Sequence, residues 1–236
     1  MTLSQLRKEL RSQATPAHAE VSQRFFKTGP GEYGEGDLFM GLKVPQIRAM
    51  LPRTDEMDEG GVLELLRSKW HEERLLALLI LVRRFQRAKK EPEIQRQIVT
   101  LYLANTEWVN NWDLVDSSAP HLLGAWLLER DRAVLGRLAG SDNLWEQRIA
   151  VLATQAFIRS NDFRDTLRLC ADFLNHEHDL MHKACGWMLR EVGKRDVKAL
   201  KAFLEQYAVR MPRTMLRYAI EKLPREVRLD YMSRRA

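Results

Sequence analysis

The sequence predicts an all-α chain, and three observations carry that expectation. Leu, Arg, Ala and Glu dominate the composition, and together they favour helix. No long Val/Ile/Thr-rich run alternates apolar with polar residues, so no sheet is expected. The 8 prolines and 12 glycines fall mostly between stretches of helical periodicity. With 236 residues and 45% hydrophobic content the chain can bury a core, which excludes global disorder. We read one domain over residues 1–236.

Taken in order, the periodicity places helices near 2–13, 16–27, 45–52, 60–67, 70–88, 91–107 and 112–129. Further helices follow near 131–139, 144–159, 163–174, 179–194, 197–209 and 213–223. Thr15 before Pro16 reads as an N-cap followed by a first-turn proline. Asn111 reads as a cap as well, with Asp113 in the first turn to favour the positive helix end. The run Leu75 to Val82 (LLALLILV) is the longest apolar stretch and is far too short to span a bilayer.

Four of these helices align as a repeat. They begin at Arg74 (RLLALLILVRRF), Asn111 (NWDLVDSSAPHLL), Arg148 (RIAVLATQAFIRS) and Lys183 (KACGWMLREVGKR), so the starts are 37, 37 and 35 residues apart. Each is apolar and follows a shorter, more polar helix. Two helices per unit at a period in the mid-thirties is the pattern of a HEAT-like helical-repeat solenoid, an α-α superhelix. A fifth helix from Arg213 closes the array. In such a fold Arg74, Asn111, Trp112, Arg148 and Lys183 would share one concave face, and a face lined by cations and an indole suits nucleic acid.

Charge points the same way. The formal net charge is +6, from 38 basic and 32 acidic residues. Residues 181–236 carry 14 Lys/Arg against 6 Asp/Glu, a net +8, which leaves −2 for residues 1–180. A basic C-terminal quarter is the footprint of a polyanion-binding surface, although a solvated helical face would have the same composition. Two cysteines without CxxC spacing argue against a structural disulfide or a Cys-rich metal site and fit a reducing cytosol. The first residues, MTLSQLRKELRSQA, lack the apolar core of a signal peptide. A cytoplasmic monomer without membrane contact is the expectation.

Three stretches can carry chemistry. In Trp108–Ser118 (WVNNWDLVDSS), Trp112 and Asp116 are four apart and share a helix face. Breaking an N-glycosidic bond builds positive charge on the sugar. A carboxylate stabilises that charge and orients water, and an indole face adds cation–π attraction. One well-placed group of this kind lowers a barrier by about 3–4 kcal/mol. Alternatively, Trp112 is a core residue and the two aspartates only favour the helix start. In the second stretch Lys183, Trp187, Arg190 and Lys194 form a cationic stripe interrupted by an aromatic, and Gly186 would give the indole room. An amphipathic helix with a buried Trp187 reads equally well. The third, Asp142–Arg148, puts Arg148 at a helix start, where it would meet a phosphate or pair with a neighbouring helix.

Together the motifs W-D-L-V-D-S at 112–117, S-D-N-L-W-E-Q-R at 141–148 and K-A-C-G-W-M-L-R-E at 183–191 resemble the bacterial HEAT-like-repeat alkylpurine DNA glycosylases, the DNA alkylation repair enzymes. The resemblance spans essentially the whole chain. It implies that Trp112 and Trp187 hold the lesion's deoxyribose and that Asp116 is the catalytic carboxylate. It also implies that Arg148 contacts the DNA backbone. The implied substrates are cationic purines such as 3-methyladenine and 7-methylguanine, in a duplex from which the base is not extruded. A cationic base leaves readily, so little acid catalysis is needed, and the hydrolysis is expected to use neither cofactor nor metal. Lys183, Arg190 and Lys194, with Lys43 after the loop, are the further DNA-binding candidates. Two departures stand out. Asn111 occupies a position where a well-known member has a second Trp, and residues 28–37 (TGPGEYGEGD) form a longer Gly-rich acidic loop. That loop is either a plain connector or an element near the DNA that alters lesion choice.

The competing function is a non-catalytic HEAT-like DNA-binding or scaffold protein. Asp116 separates the two readings, because a pure binder gains nothing from a carboxylate set against phosphates. His176, His178 and His182 are read as a solvated turn and helix start rather than a metal site, since no HExxH pattern is present.

Overall fold

The computed structural model describes residues 1–234. Among them the fold is all-α, with no strand and only an isolated bridge between Leu38 and Trp70. Backbone contacts group the chain into two compact units, Met1–Ser118 and Ala119–Ala236.

The first unit contains α1 (Leu3–Ser12), α2 (Pro16–Phe25), α3 (Val44–Met50), α4 (Glu59–Leu66), α5 (His71–Arg87), α6 (Pro92–Leu103) and α7 (Trp112–Ser118). Its hub is α5, which packs against α3, α4, α6 and α7. Every residue from His71 to Val82 is buried, so the long apolar run is a core helix enclosed on all sides. No described helix is long and apolar enough to cross a membrane. Thr2 closes α1 with a capping box, its hydroxyl accepting from Gln5 N–H while Gln5 Oε1 accepts from Thr2 N–H. Thr15 occupies the expected cap position of α2, but its hydroxyl makes no cap bond. Its N–H instead donates to Met40 O at 3.0 Å, tying α2 to the segment before α3.

The second unit contains α8 (Ala133–Ala139), α9 (Leu144–Ala153), α10 (Gln155–Arg159), α11 (Arg164–Asp172), α12 (Asp179–Arg195), α13 (Val197–Tyr207), α14 (Arg213–Ile220) and α15 (Arg225–Ser233). Here α12 is the hub, packed against α9, α11, α13 and α14. The apolar second helix of one repeat therefore lies on that of the next, as the periodicity requires. Gly186 explains the closeness of one such pair. A Cβ there would stand 2.5 Å from Met215 O and 2.6 Å from Tyr218 Cβ, so this glycine lets α14 approach α12. That corrects the expectation that it makes room for Trp187. Cys170 and Cys185 are buried and free, with the Cys170 thiol donating to Cys185 O. Burial pushes the Cys170 thiol well above its usual pKa.

Two expected helices are interrupted for local reasons. Over 112–129, Pro120 has no amide N–H to continue the α ladder. The ladder widens to a π turn at Pro120–Gly124, with Gly124 N–H donating to Ala119 O at 2.9 Å. Over 144–159 the break is at Thr154, whose hydroxyl donates to Val151 O at 2.7 Å and competes with the helix.

Candidate functional site

The expected tryptophan and aspartate fall on α7, a helix too short to hold itself. It is held from both ends. At its C-terminal end the buried Tyr102 hydroxyl lies 3.1 Å from Ser118 Oγ, and Ser118 Oγ–H donates to Leu114 O at 2.6 Å. Burial raises the Tyr102 pKa. The Ser118 hydrogen bond opposes that rise and the Asp116 charge adds to it, so the phenol stays protonated beside the carboxylate.

The N-terminal end carries a buried polar network absent from any local motif. Asn111 is fully buried, and its Oδ1 accepts from Trp112 N–H at 2.9 Å. Its Nδ2–H donates to Asp37 Oδ2 at 3.2 Å. Asp37 also lies 3.0 Å from His71 Nδ1 and pairs with Arg74. On the far side of the ring, His71 Nε2 lies 2.8 Å from Asp113 Oδ2. Arg74 Nη1–H donates in addition to Ser68 O at 2.9 Å. The other Asp113 oxygen is buried with no hydrogen-bond partner among the described residues.

Aromatic rings complete the brace. Phe39 stacks on His71 with centroids 4.5 Å apart. Phe26 lies nearly parallel to both Phe39 at 5.0 Å and Trp112 at 5.1 Å. Phe25, 63% exposed, meets Trp112 edge-on at 5.8 Å. One Trp112 face is thus covered by Phe26.

Burial alone would lower the His71 pKa. The Asp113 and Asp37 carboxylates outweigh it and push the value up to about 9. For Asp37 burial acts upward, but the His71 hydrogen bond, Arg74 and Asn111 hold its carboxyl below the usual range.

The network joins the two departures noted in the sequence. The Gly-rich stretch ends in Asp37, and Asn111 is the residue that receives it. A Cβ on Gly34 would lie 2.4 Å from Phe26 O and 3.3 Å from Asn111 Nδ2, so the stretch packs directly against the helix start. The stretch thus connects α2 to α3 and also packs against the start of α7. Glu72 secures the following segment by accepting from Met40, Gly41 and Leu42 N–H at 2.9, 2.7 and 3.2 Å. Local sequence reasoning missed His71 and Asp37. The available signal was His71-Glu72-Glu73-Arg74, four ionisable residues opening the helix with the longest apolar run, and all four are buried. Arg74 and Asn111 are likewise buried in this network, which corrects the expectation that they line a DNA-facing surface.

In the second unit Trp187 is half-buried, and its Nε1–H donates to Glu191 Oε1 at 3.1 Å. The cationic stripe on α12 lies among carboxylates. Lys183 is 2.7 Å from Asp179, Lys194 is 2.7 Å from Glu191, and Arg190 pairs with Glu221 and Glu191. Arg148 is buried, with Nη1–H donating to Leu180 O at 2.7 Å, so it ties α9 to the start of α12. The rest of its motif is a helix cap. Asn143 Oδ1 accepts from Trp145 N–H at 2.8 Å, and Gln147 Nε2–H donates to Ser141 O at 2.7 Å. His178 caps α12, accepting from Leu180 N–H through Nδ1, and no metal-ligating cluster occurs among the described residues. In the first unit Lys43 is exposed at the start of α3.

These features define an all-α helical-repeat protein with a braced tryptophan one turn ahead of a half-buried carboxylate. The chain belongs to the DNA alkylation repair enzyme family, whose model matches residues 6–223. DNA repair is therefore its role and DNA its substrate. No curated protein matches the chain. A solved structure described as a predicted DNA alkylation repair enzyme from Enterococcus faecalis is similar in fold. It has a TM-score of 0.69 and 16% identity, with 90% of this chain and 98% of that chain covered.

Proposed function

We propose that this chain is an alkylpurine DNA glycosylase, hydrolysing the N-glycosidic bond of cationic bases such as 3-methyladenine and 7-methylguanine in duplex DNA. The observation that carries the reading is the bracing of Trp112 one helical turn before Asp116, in a family of DNA repair enzymes. As the C1′–N bond breaks, its electron pair neutralises the cationic base, and the sugar takes on oxocarbenium character. The Asp116 carboxylate stabilises that charge and orients the water whose oxygen bonds to C1′, with the released proton passing to solvent. The products are the free base and an abasic site. Trp112 and Trp187 hold the deoxyribose through their indole faces.

Lys43, Lys183, Arg190 and Lys194 serve the DNA backbone in this reading, while Arg148, buried against Leu180 O, supports the start of the helix that carries Lys183 instead of meeting phosphate as expected. Lys183, Arg190 and Lys194 exchange their carboxylate partners for phosphate on binding. The chain acts as a monomer, and residues 1–236 work as one functional domain.

The test is release of 7-methylguanine from methylated duplex DNA by wild type and Asp116→Asn, without added metal. Wild type is expected to release the base, with the variant slower by about 10²–10³-fold and binding DNA at least as tightly. Equal release by both overturns the role of Asp116. Release by neither, with DNA binding intact, favours a non-catalytic DNA-binding protein.

A further inference from the structure

We propose that His71 is a positioning residue of the candidate site: by bridging Asp37 of the Gly-rich stretch and Asp113 of α7, it sets the first turn of α7 and with it the Trp112 indole. The proposal rests on the reading of Trp112 and Asp116 as the site.

Hydrogen-bond chemistry carries the argument. Both ring nitrogens of His71 face carboxylate oxygens, at 3.0 and 2.8 Å. A carboxylate only accepts, and a neutral imidazole has one N–H, so both contacts are satisfied together only when both nitrogens are protonated. The charges then balance: His71 and Arg74 are cationic, Asp37 and Asp113 anionic, and Asn111 adds a neutral donor. These are the charged groups that meet the ring or its partners. From the neighbouring segments the apolar rings of Phe26 and Phe39 lie against the imidazole. Glu72 is turned to backbone N–H groups of 40–42, and Glu73 to Arg7. The raised His71 pKa agrees with the geometry.

The clamp reaches Trp112 by two routes. Asp113 is the next residue in the same helical turn. Asp37 holds Asn111, whose carbonyl oxygen takes the Trp112 N–H. Phe26 adds a third tie, stacked on Trp112 and tilted against His71. When His71 loses a proton, one ring nitrogen becomes an acceptor facing an acceptor, and one carboxylate must turn away. The indole then loses its fixed orientation without any group that touches the substrate having been altered.

The test uses the full-length protein and reads position apart from activity. NMR follows the His71 ring and the Trp112 indole N–H, assigned with Trp112→Phe, from pH 6 to 10. Both signals are expected to move with a common midpoint near 9 in wild type. The Trp112 signal should not titrate in His71→Gln. In Asp37→Asn, where one carboxylate is gone, the midpoint should fall by a unit or more. Base release is expected to drop about tenfold in His71→Gln, mainly in kcat, and wild-type release should fall as pH rises through the same midpoint. A His71 midpoint near 6.5, or a Trp112 signal that ignores it, overturns the proposal. If His71→Gln does not fold, the wild-type and Asp37→Asn titrations decide alone. If wild type releases no base yet the two signals titrate together, the glycosylase reading fails and the clamp stands.

Discussion

At the scale of single residues, His71 joins two carboxylates from distant parts of the chain, and its removal should be felt in stability. Removing it as His71→Ala leaves Asp37 with Arg74 and Asn111 but strands Asp113, whose second oxygen already has no hydrogen-bond partner among the described residues. Breaking a buried ion pair from one side typically costs about 3–5 kcal/mol, and a loss of that order is expected by urea denaturation. The pH dependence has a definite sign. The folded-state pKa of His71 lies above the unfolded value, so its contribution is complete below about pH 6.5 and disappears as pH rises through about 9. Wild-type and His71→Gln melting temperatures should therefore converge between those limits. A gap that widens with pH would contradict the charged clamp. Asp37 works in the opposite sense, because its depressed pKa contributes stability that is lost on acidification.

At the scale of elements, helices are anchored by a few close approaches that predict costly substitutions. Gly186→Ala sets a methyl 2.5 Å from the Met215 carbonyl, which is backbone and cannot swing aside. Separating α12 from α14 should cost about 1–3 kcal/mol, read as a lower urea midpoint with an unchanged slope. Asn143→Ala removes the cap of α9 and should cost about 1 kcal/mol in the same assay. What was legible in the sequence follows from range. Apolar periodicity is local, and α5 and α12 came out within a residue or so of their observed limits. The Trp112–Asp116 pairing was legible for the same reason. The π turn after Pro120, the break at Thr154 and the added helix α15, where only Tyr231 is buried, gave weaker local signals. The clamp gave none as a unit. His71 meets partners 34 residues before it and 42 after it, and no spacing rule encodes that.

For the whole molecule, the uneven charge sets how an encounter with DNA would respond to salt. The net +8 of residues 181–236 predicts affinity that falls with salt, with log K against log salt sloping by about −0.9 for each phosphate neutralised. The slope should be shallower than the number of cations suggests, since Lys183, Arg190 and Lys194 already hold carboxylates. Glu191→Gln removes one competitor and keeps an acceptor for the Trp187 indole. It should tighten binding and steepen the slope by about one. A slope near zero for wild type would show that this quarter of the chain does not engage the polyanion.

The buried thiols bear on survival. Alkylating agents attack cysteine as the thiolate, and reactivity follows exposure and low pKa. Cys170 and Cys185 are both shielded, and Cys170 resists ionisation. A protein of alkylation repair has to persist among the electrophiles that create its substrate, and its most vulnerable side chains are withdrawn from them.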